Sequence, residues 1–572
     1  MNDQRNMILA IVLSAIVLIG WSFLSESFLP TAKPPATKVV DGKSVPVPQP
    51  RADPTADGPV AMRSRGEVLR STPRVRIETP HLAGSINLKG ARIDDLVLTT
   101  HRESLAKNSP AIRLLSPAGS PGAYFASFGW AGEPQRVPAA DTVWTASGTR
   151  LAPGSPVTLS WDNGQGQIFQ IGLAVDDGYL FSVDQKVINR GAGDIAVRPY
   201  SVLSRIGASK DPDPWTAHAG PMGVFNGAAD YDNDYSTVAE SGERRFSGRG
   251  GWIGFTDTFW LAAVVPNQGS QVDAAFRHNR ATDSYQAEAI TIPSIAARGK
   301  VMNYSSHLFA GAKEIQLLDR YTEQLGTPLE QAIDWGWFEW FMKPIFSLLN
   351  WLFAQIGNFG MAIICLTLIV RTLMFPIAQK QFKSMAAMRV LQPKMKALQD
   401  RHKDDKPKLQ QEMLKLYQEE KVNPMAGCLP ILIQIPIFYA LYKVLMVSVE
   451  MRHKPFALWI KDLSAPDPLT PVNLFGYLPF QPPYFLALGV LPILLGITMW
   501  LQFKLNPPAT DPVQRQMFAI MPWVLMFAMA PFAAGLQLYW VVNNVLTILQ
   551  QKWLYTRYPG MKAAAETPAA AK

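Results

Sequence analysis

The chain reads as a polytopic α-helical membrane protein of six transmembrane helices, with a large all-β domain outside and a helical hairpin in the cytoplasm. Three observations predict this. Long apolar runs gather in the C-terminal part and recur at lengths suited to a bilayer. Between about Arg65 and Thr322 the pattern changes to short alternating segments broken by Gly, Asn and Asp, as strands require. Third, Arg371 lies inside an apolar run from Phe359 to Pro376, and no acidic residue in a neighbouring run can pair with it.

The 572 residues suffice for two or three domains, and the net charge of +9 is unevenly placed. The densest basic stretch, Lys380 to Lys421, is too mixed with acids and apolar residues to read as a nucleic-acid site. Both cysteines, Cys365 and Cys428, fall in or beside apolar runs, so the β domain owes nothing to disulfides. There is no His cluster, CxxC pair, HExxH, GxGxxG or phosphate loop, so no metal and no cofactor is expected.

Residues 1–24 hold an apolar run, Met7 to Leu24, long enough for one span. It reads as an uncleaved signal anchor; the alternative, a cleaved signal peptide, lacks a nearby Ala-x-Ala site. Arg5 precedes the run and the next basic residue is Lys33, which places the N-terminus in the cytoplasm. Residues 25–64 form a tether, rich in Pro, Ala, Thr and Lys between Pro30 and Pro59, that cannot bury a core. Residues 65–329 form the β domain. Arg74 to Ile77, Gly84 to Leu88, Arg92 to Leu98, Val157 to Trp161, Ile168 to Ile171 and Tyr179 to Val183 predict strands of a sandwich. Trp252, Phe259 and Trp260 are expected in its core, and a helix within Ala312 to Leu329 closes it.

Residues 330–356 mix tryptophans with a few polar side chains and predict an amphipathic helix on the outer membrane surface; a packing helix of the β domain is the alternative. The core at 357–555 holds spans at 357–378, 427–449, 484–503, 516–530 and 536–553. Pro430 and Pro436 interrupt the second of these, and the fourth is short, so tilt or local thinning is expected. A hairpin at 379–424 joins the first two. Met385, Met388, Leu391, Met395 and Leu398 share one helical face, and Leu409, Met413 and Leu416 another. Its basic residues, among them Lys380, Lys383, Arg389, Lys394 and Arg401, place it in the cytoplasm beside anionic lipid. Arg452, Lys454 and Lys461 in an outer loop oppose that rule but are outweighed. The tail, 556–572, then ends in the cytoplasm with few charges.

Arg371 lies roughly 13 Å below the next polar cluster, Gln379 and Lys380, at about 1.5 Å per residue. A guanidinium in hydrocarbon costs at least ~2.5–3.5 kcal/mol, so it is expected to face water or a partner. With no carboxylate to meet it, the sequence predicts a wet, positively charged cavity open to one side. The alternative is snorkelling, which the distance strains.

Gly357-Asn-Phe-Gly360, Thr367-Leu-Ile-Val-Arg371, Met385-Ala-Ala-Met-Arg-Val-Leu-Gln-Pro-Lys394, Lys421-Val-Asn-Pro-Met-Ala-Gly-Cys-Leu-Pro430, Gln434-Ile-Pro-Ile-Phe438 and Pro455-Phe-Ala-Leu-Trp-Ile-Lys-Asp-Leu463 resemble the YidC-type membrane protein insertases. The anchor, tether and β domain resemble the Gram-negative form. The resemblance implies a periplasmic β-supersandwich and an inner-membrane insertase core that also aids folding. It implies a groove open to cytoplasm and lipid, with Arg371, Thr367, Gln434, Tyr539 and Trp540 at groove and substrate-contact positions. Asn543 and Asn544 join them as polar residues one turn on. Implied partners are nascent inner-membrane proteins, the lipid bilayer and the Sec translocon with its accessory subunits, with the ribosome and the signal recognition particle receptor as further candidates. Two departures stand out. The family's Phe-Pro-x-Gly turn is here Phe532-Ala-Ala-Gly535 after Pro531, and the alanine-rich tail lacks the basic charge that some members use at the ribosome.

The expected function is therefore insertion without covalent chemistry, not an enzyme. Two other readings were open. An anion channel or transporter could use Arg371, but the paired repeats of transporters are missing. A membrane-tethered sugar enzyme would need an acid–base pair, and His81, His101, His218 and His278 are scattered in sequence.

Overall fold

The structure is a computed structural model that describes residues 62–133, 136–209, 217–336, 338–402, 405–420, 429–478, 480, 488–505 and 512–557. The expected anchor, nearly all of the tether and all but the first residues of the tail lie outside the described residues. Two compact units divide the chain, Met1–Asp334 and Trp335–Lys572.

The first unit is built from an 11-stranded and a 9-stranded sheet. Strand Gln167–Val175 shows the expected period of two, burying every second residue. Asp176 turns it back into Leu180–Asn189 by accepting from the backbone N–H groups of Gly178 and Leu180, each at 3.0 Å. Strands Tyr124–Ala131, Trp252–Thr256 and Trp260–Val265 are buried almost throughout, so alternation could not mark them. The sheets pack face to face. Trp130 of the larger meets Phe169 of the smaller edge-on at 5.1 Å, and Phe246 stacks on Phe225 at 4.0 Å. Trp252 and Trp260 are core residues, while Phe259 is half-buried. Among the described residues three α-helices accompany the sheets: α1 (Arg65–Arg70), α2 (Tyr235–Ser241) and α3 (Ile315–Leu325). Only α3 was legible in the sequence.

The second unit is helical. α4 (Glu339–Ile356) buries Met342, Phe346, Leu349 and Leu352 and exposes Trp340 and Trp351, an amphipathic pattern at helical spacing. Gly357 ends it with a left-handed φ of 76°, and Asn358 caps the next helix by accepting from Met361 N–H at 3.1 Å. That helix, α5 (Phe359–Arg401), runs 43 residues without a break through Pro376 and Pro393. The sequence placed a boundary after residue 378. A proline removes one backbone bond, and the remaining ladder carries the helix past it. α6 (Lys406–Glu419) folds back, capped by Asp405, and Lys394 pairs with Glu420 at 2.6 Å. The remaining helices are α7 (Leu429–Val447), α8 (Val490–Leu505), α9 (Pro512–Met529) and α10 (Ala534–Arg557).

Among the described residues, Phe359–Lys380 is the one stretch of helix long and apolar enough to cross a membrane. Gln434–Val447, Val490–Leu505 and Arg515–Met529 are shorter apolar helices. Between α7 and α8, buried Asp467 accepts from Leu491 N–H at 2.7 Å, from Leu469 N–H at 3.0 Å and from Trp459 Nε1 at 2.9 Å. One carboxylate thus ties the loop to the start of α8.

Candidate functional site

Helix α10 supplies one side of the site because Tyr539, Asn543 and Thr547 recur every four residues on one face. Arg371 of α5 meets this stripe. Its Nε donates to Asn543 Oδ1 at 2.7 Å, and its Nη2 donates to Asn543 O at 3.3 Å and to Thr547 Oγ1. Thr547 Oγ1 in turn donates to Asn543 O at 2.6 Å. The sequence reading left Arg371 without a partner because it searched for carboxylates. The guanidinium is half-buried and hydrogen-bonded, and its partners are neutral. Desolvation is thus offset without the charge being cancelled.

One turn before Asn543, buried Tyr539 accepts a hydrogen bond from Gln434 Nε2 of α7. Beside it, Trp540 and Phe438 meet edge-on at 4.9 Å. Gln434, Tyr539, Asn543 and Arg371 therefore form one polar line across three helices. The other residues fall elsewhere. Thr367 is fully buried and donates to Ile363 O of its own helix at 2.6 Å. Asn544 faces away from Asn543 and donates to Thr498 Oγ1 of α8 at 3.2 Å. Lys380, Lys394 and Arg401 are exposed along α5, and the side chains of Lys383 and Arg389 lie outside the described residues.

Sequence reasoning missed Thr547 and Gln537. Thr547 was detectable from its four-residue spacing after Asn543. Buried Gln537 donates through Nε2 to Met529 O at 2.9 Å, Ala530 O at 3.3 Å and Phe532 O at 2.8 Å, closing the turn between α9 and α10. Lys443 is buried on α7 as well, so Arg371 is not the sole deep cation.

In the β domain the fold gathers two of the scattered histidines near Glu314. Tyr179 Oη donates to Glu314 Oε1 at 2.8 Å, and His101 Nε2 lies 3.8 Å from the same oxygen. His81 packs edge-on to Tyr179 at 5.6 Å. Burial works to raise the Glu314 carboxyl, but its bonds with His101 and Tyr179 outweigh that and hold it below the usual range. Among the described residues no group of His, Cys, Asp and Glu could hold a metal.

Residues 351–562 match the family of the 60Kd inner membrane protein, and residues 74–348 match the YidC periplasmic domain. The membrane protein insertase YidC of Zymomonas mobilis is 49% identical, covering 97% of this chain and 96% of its own. That of Beijerinckia indica is 42% identical over 97% of this chain and 96% of its own. The chain belongs to the YidC membrane protein insertase family. A crystal structure of an active YidC insertase with the first transmembrane domain resolved covers 88% of this chain and 95% of its own, at 19% identity and a TM-score of 0.37. Membership makes this an inner-membrane protein with a periplasmic domain and an insertase.

Proposed function

We propose that this insertase moves the polar tail of a nascent membrane protein through a hydrated groove whose landing point is Arg371. The observation that carries the reading is a half-buried guanidinium held by an amide and a hydroxyl, with no carboxylate partner among the described residues. A cation left uncancelled in a low-dielectric surround attracts an acidic tail more strongly than one in water. Water drawn to Arg371 and its polar neighbours lowers the cost of carrying polar groups part-way across. The apolar segment then leaves into lipid beside the short helices α7, α8 and α9, and its burial, roughly 25 cal/mol per Å², supplies the free energy. No nucleotide or covalent step is required.

In this reading the six spans place both termini and the basic hairpin in the cytoplasm. The protein acts alone or beside the Sec translocon and assists folding afterwards. Those assignments rest on the charge pattern and on family resemblance. The test is insertion of single-span substrates with tails of graded acidity by reconstituted protein carrying Arg371→Ala or Arg371→Glu. Acidic tails are expected to suffer roughly tenfold more than neutral ones, equivalent to about 1.4 kcal/mol, with Glu the worse. Equal loss across the series, at normal abundance, would remove the electrostatic role.

A further inference from the structure

We infer that Asn543 and Thr547 are positioning residues that hold Arg371 as an oriented, uncancelled cation. This inference rests on the landing-site reading above and deepens it. Two of the three guanidinium nitrogens are engaged, Nε by Asn543 Oδ1 and Nη2 by Asn543 O and Thr547 Oγ1. Nη1 makes no hydrogen bond among the described residues and is not one of the fully buried atoms. The bonds on two nitrogens fix the plane of the guanidinium and leave the third to meet an incoming group.

The chemistry of the acceptor matters as much as its place. A carboxylate at 543 would make the same bond to Nε and cancel the charge. An amide makes the bond and leaves the charge standing. Thr547 strengthens the arrangement, because its hydroxyl donates to Asn543 O and accepts from Arg371 Nη2. Neighbouring Asn544 shows what a purely structural amide does here: it bonds Thr498 and joins α10 to α8. The group this cradle suits is the carboxylate of an acidic side chain in the substrate's tail, approaching Nη1.

The decisive variant is Asn543→Asp, which keeps the shape and the hydrogen bond but adds the cancelling charge. Full-length protein would be reconstituted in phospholipid vesicles. Single-span probe substrates with no or several aspartates in the tail would be inserted. The ratio of acidic-tail to neutral-tail insertion is the readout, beside abundance and thermal midpoint. Asn543→Asp is expected to bring that ratio down to the level of Arg371→Ala. Asn543→Ala and Thr547→Val, which loosen the guanidinium without cancelling it, are expected to lower the ratio by about threefold to tenfold, the equilibrium equivalent of one net hydrogen bond. A structural bridge between α5 and α10 predicts otherwise: tolerance of Asp, or equal loss for both tails. Either result overturns the inference. If Asn543→Asp does not accumulate, Thr547→Val decides, and an unchanged ratio there overturns it too. A flat ratio in Arg371→Ala would instead bring down the landing-site reading itself. A lowered ratio in Arg371→Ala with a normal one in Asn543→Asp brings down only the positioning role.

Discussion

Gly360 shows how tightly single residues are specified where the helical unit begins. A Cβ at this position would come within 2.0 Å of the Phe456 ring. The same ring belongs to the residue whose carbonyl accepts from Asn358 Nδ2 at 2.8 Å, so one asparagine caps α5 and ties down the loop that crosses it. Gly360→Ala is expected to cost about 1–3 kcal/mol through overpacking. It should lower the thermal midpoint in detergent, and by less in a Phe456→Ala background, which restores part of the loss by removing the two nearest carbons, Cδ2 and Cγ. No restoration would mean that the close approach is not the cause. Gly357→Ala is a different case. Open space surrounds the new methyl, and the cost is the left-handed φ of 76°. The sequence displayed both glycines in one short motif, but only the packing separates their roles.

Helix ends and the turns between them carry the next level of specification. The turn after α9, Pro531-Phe-Ala-Ala-Gly535, is closed by side-chain and backbone bonds. Gln537 Nε2 meets three carbonyls, and the N–H groups of Ala534 and Gly535 donate to Ala465 O at 2.8 Å and Leu463 O at 2.9 Å. Gln537→Leu leaves those carbonyls without their side-chain donor and is expected to destabilise the protein by about 1–3 kcal/mol. A thermal midpoint equal to wild type would show that the backbone pairing suffices. Glu314, at the start of α3, gives a pH-dependent counterpart. Its ionised form is favoured in the fold, so its contribution is present above the unfolded value and is lost as pH falls through the folded one. Residues 62–333 should therefore lose their thermal advantage over the Glu314→Gln variant as pH drops below about 4.3, the ordinary glutamate value. A constant difference down to pH 3 would remove the linkage. Elements of this kind were unevenly legible. Gln167–Val175 announced itself by alternation and α4 by its apolar face, since each has one side more buried than the other. Trp260–Val265, buried on both faces, carries no such contrast. Asn543 was legible as a polar neighbour, but its bond to Arg371 and the part of Thr547 stayed hidden because neutral acceptors leave no trace in a charge pattern, and sheet order depends on pairings far apart in sequence.

Division into two units at Asp334 sets the terms on which the molecule can be taken apart. The sequence patterns end the β region at residue 329, whereas the compact unit runs on to Asp334. Ending a deletion at residue 310 would sever strand Val301–Ala312, which pairs with both Leu180–Asn189 and Trp260–Val265. It would also strand α3, whose Leu318 and Tyr321 are buried, together with Leu329 beyond it. Those apolar groups would be left without their core, at about 1.5–3 kcal/mol for each large side chain. Deleting residues 65–333 instead removes the unit whole and leaves α4 to α10 intact. Every group in the polar line, from Gln434 to Arg371, lies in the part retained. The shorter protein is therefore expected to insert single-span substrates at nearly the full rate, while the 65–310 deletion accumulates poorly. Insertion by the two forms in vesicles, normalised to folded protein, checks this. A 65–333 deletion that is abundant, folded and inactive would place an essential step of transfer in the periplasmic domain and refute the division of labour drawn from the helical unit.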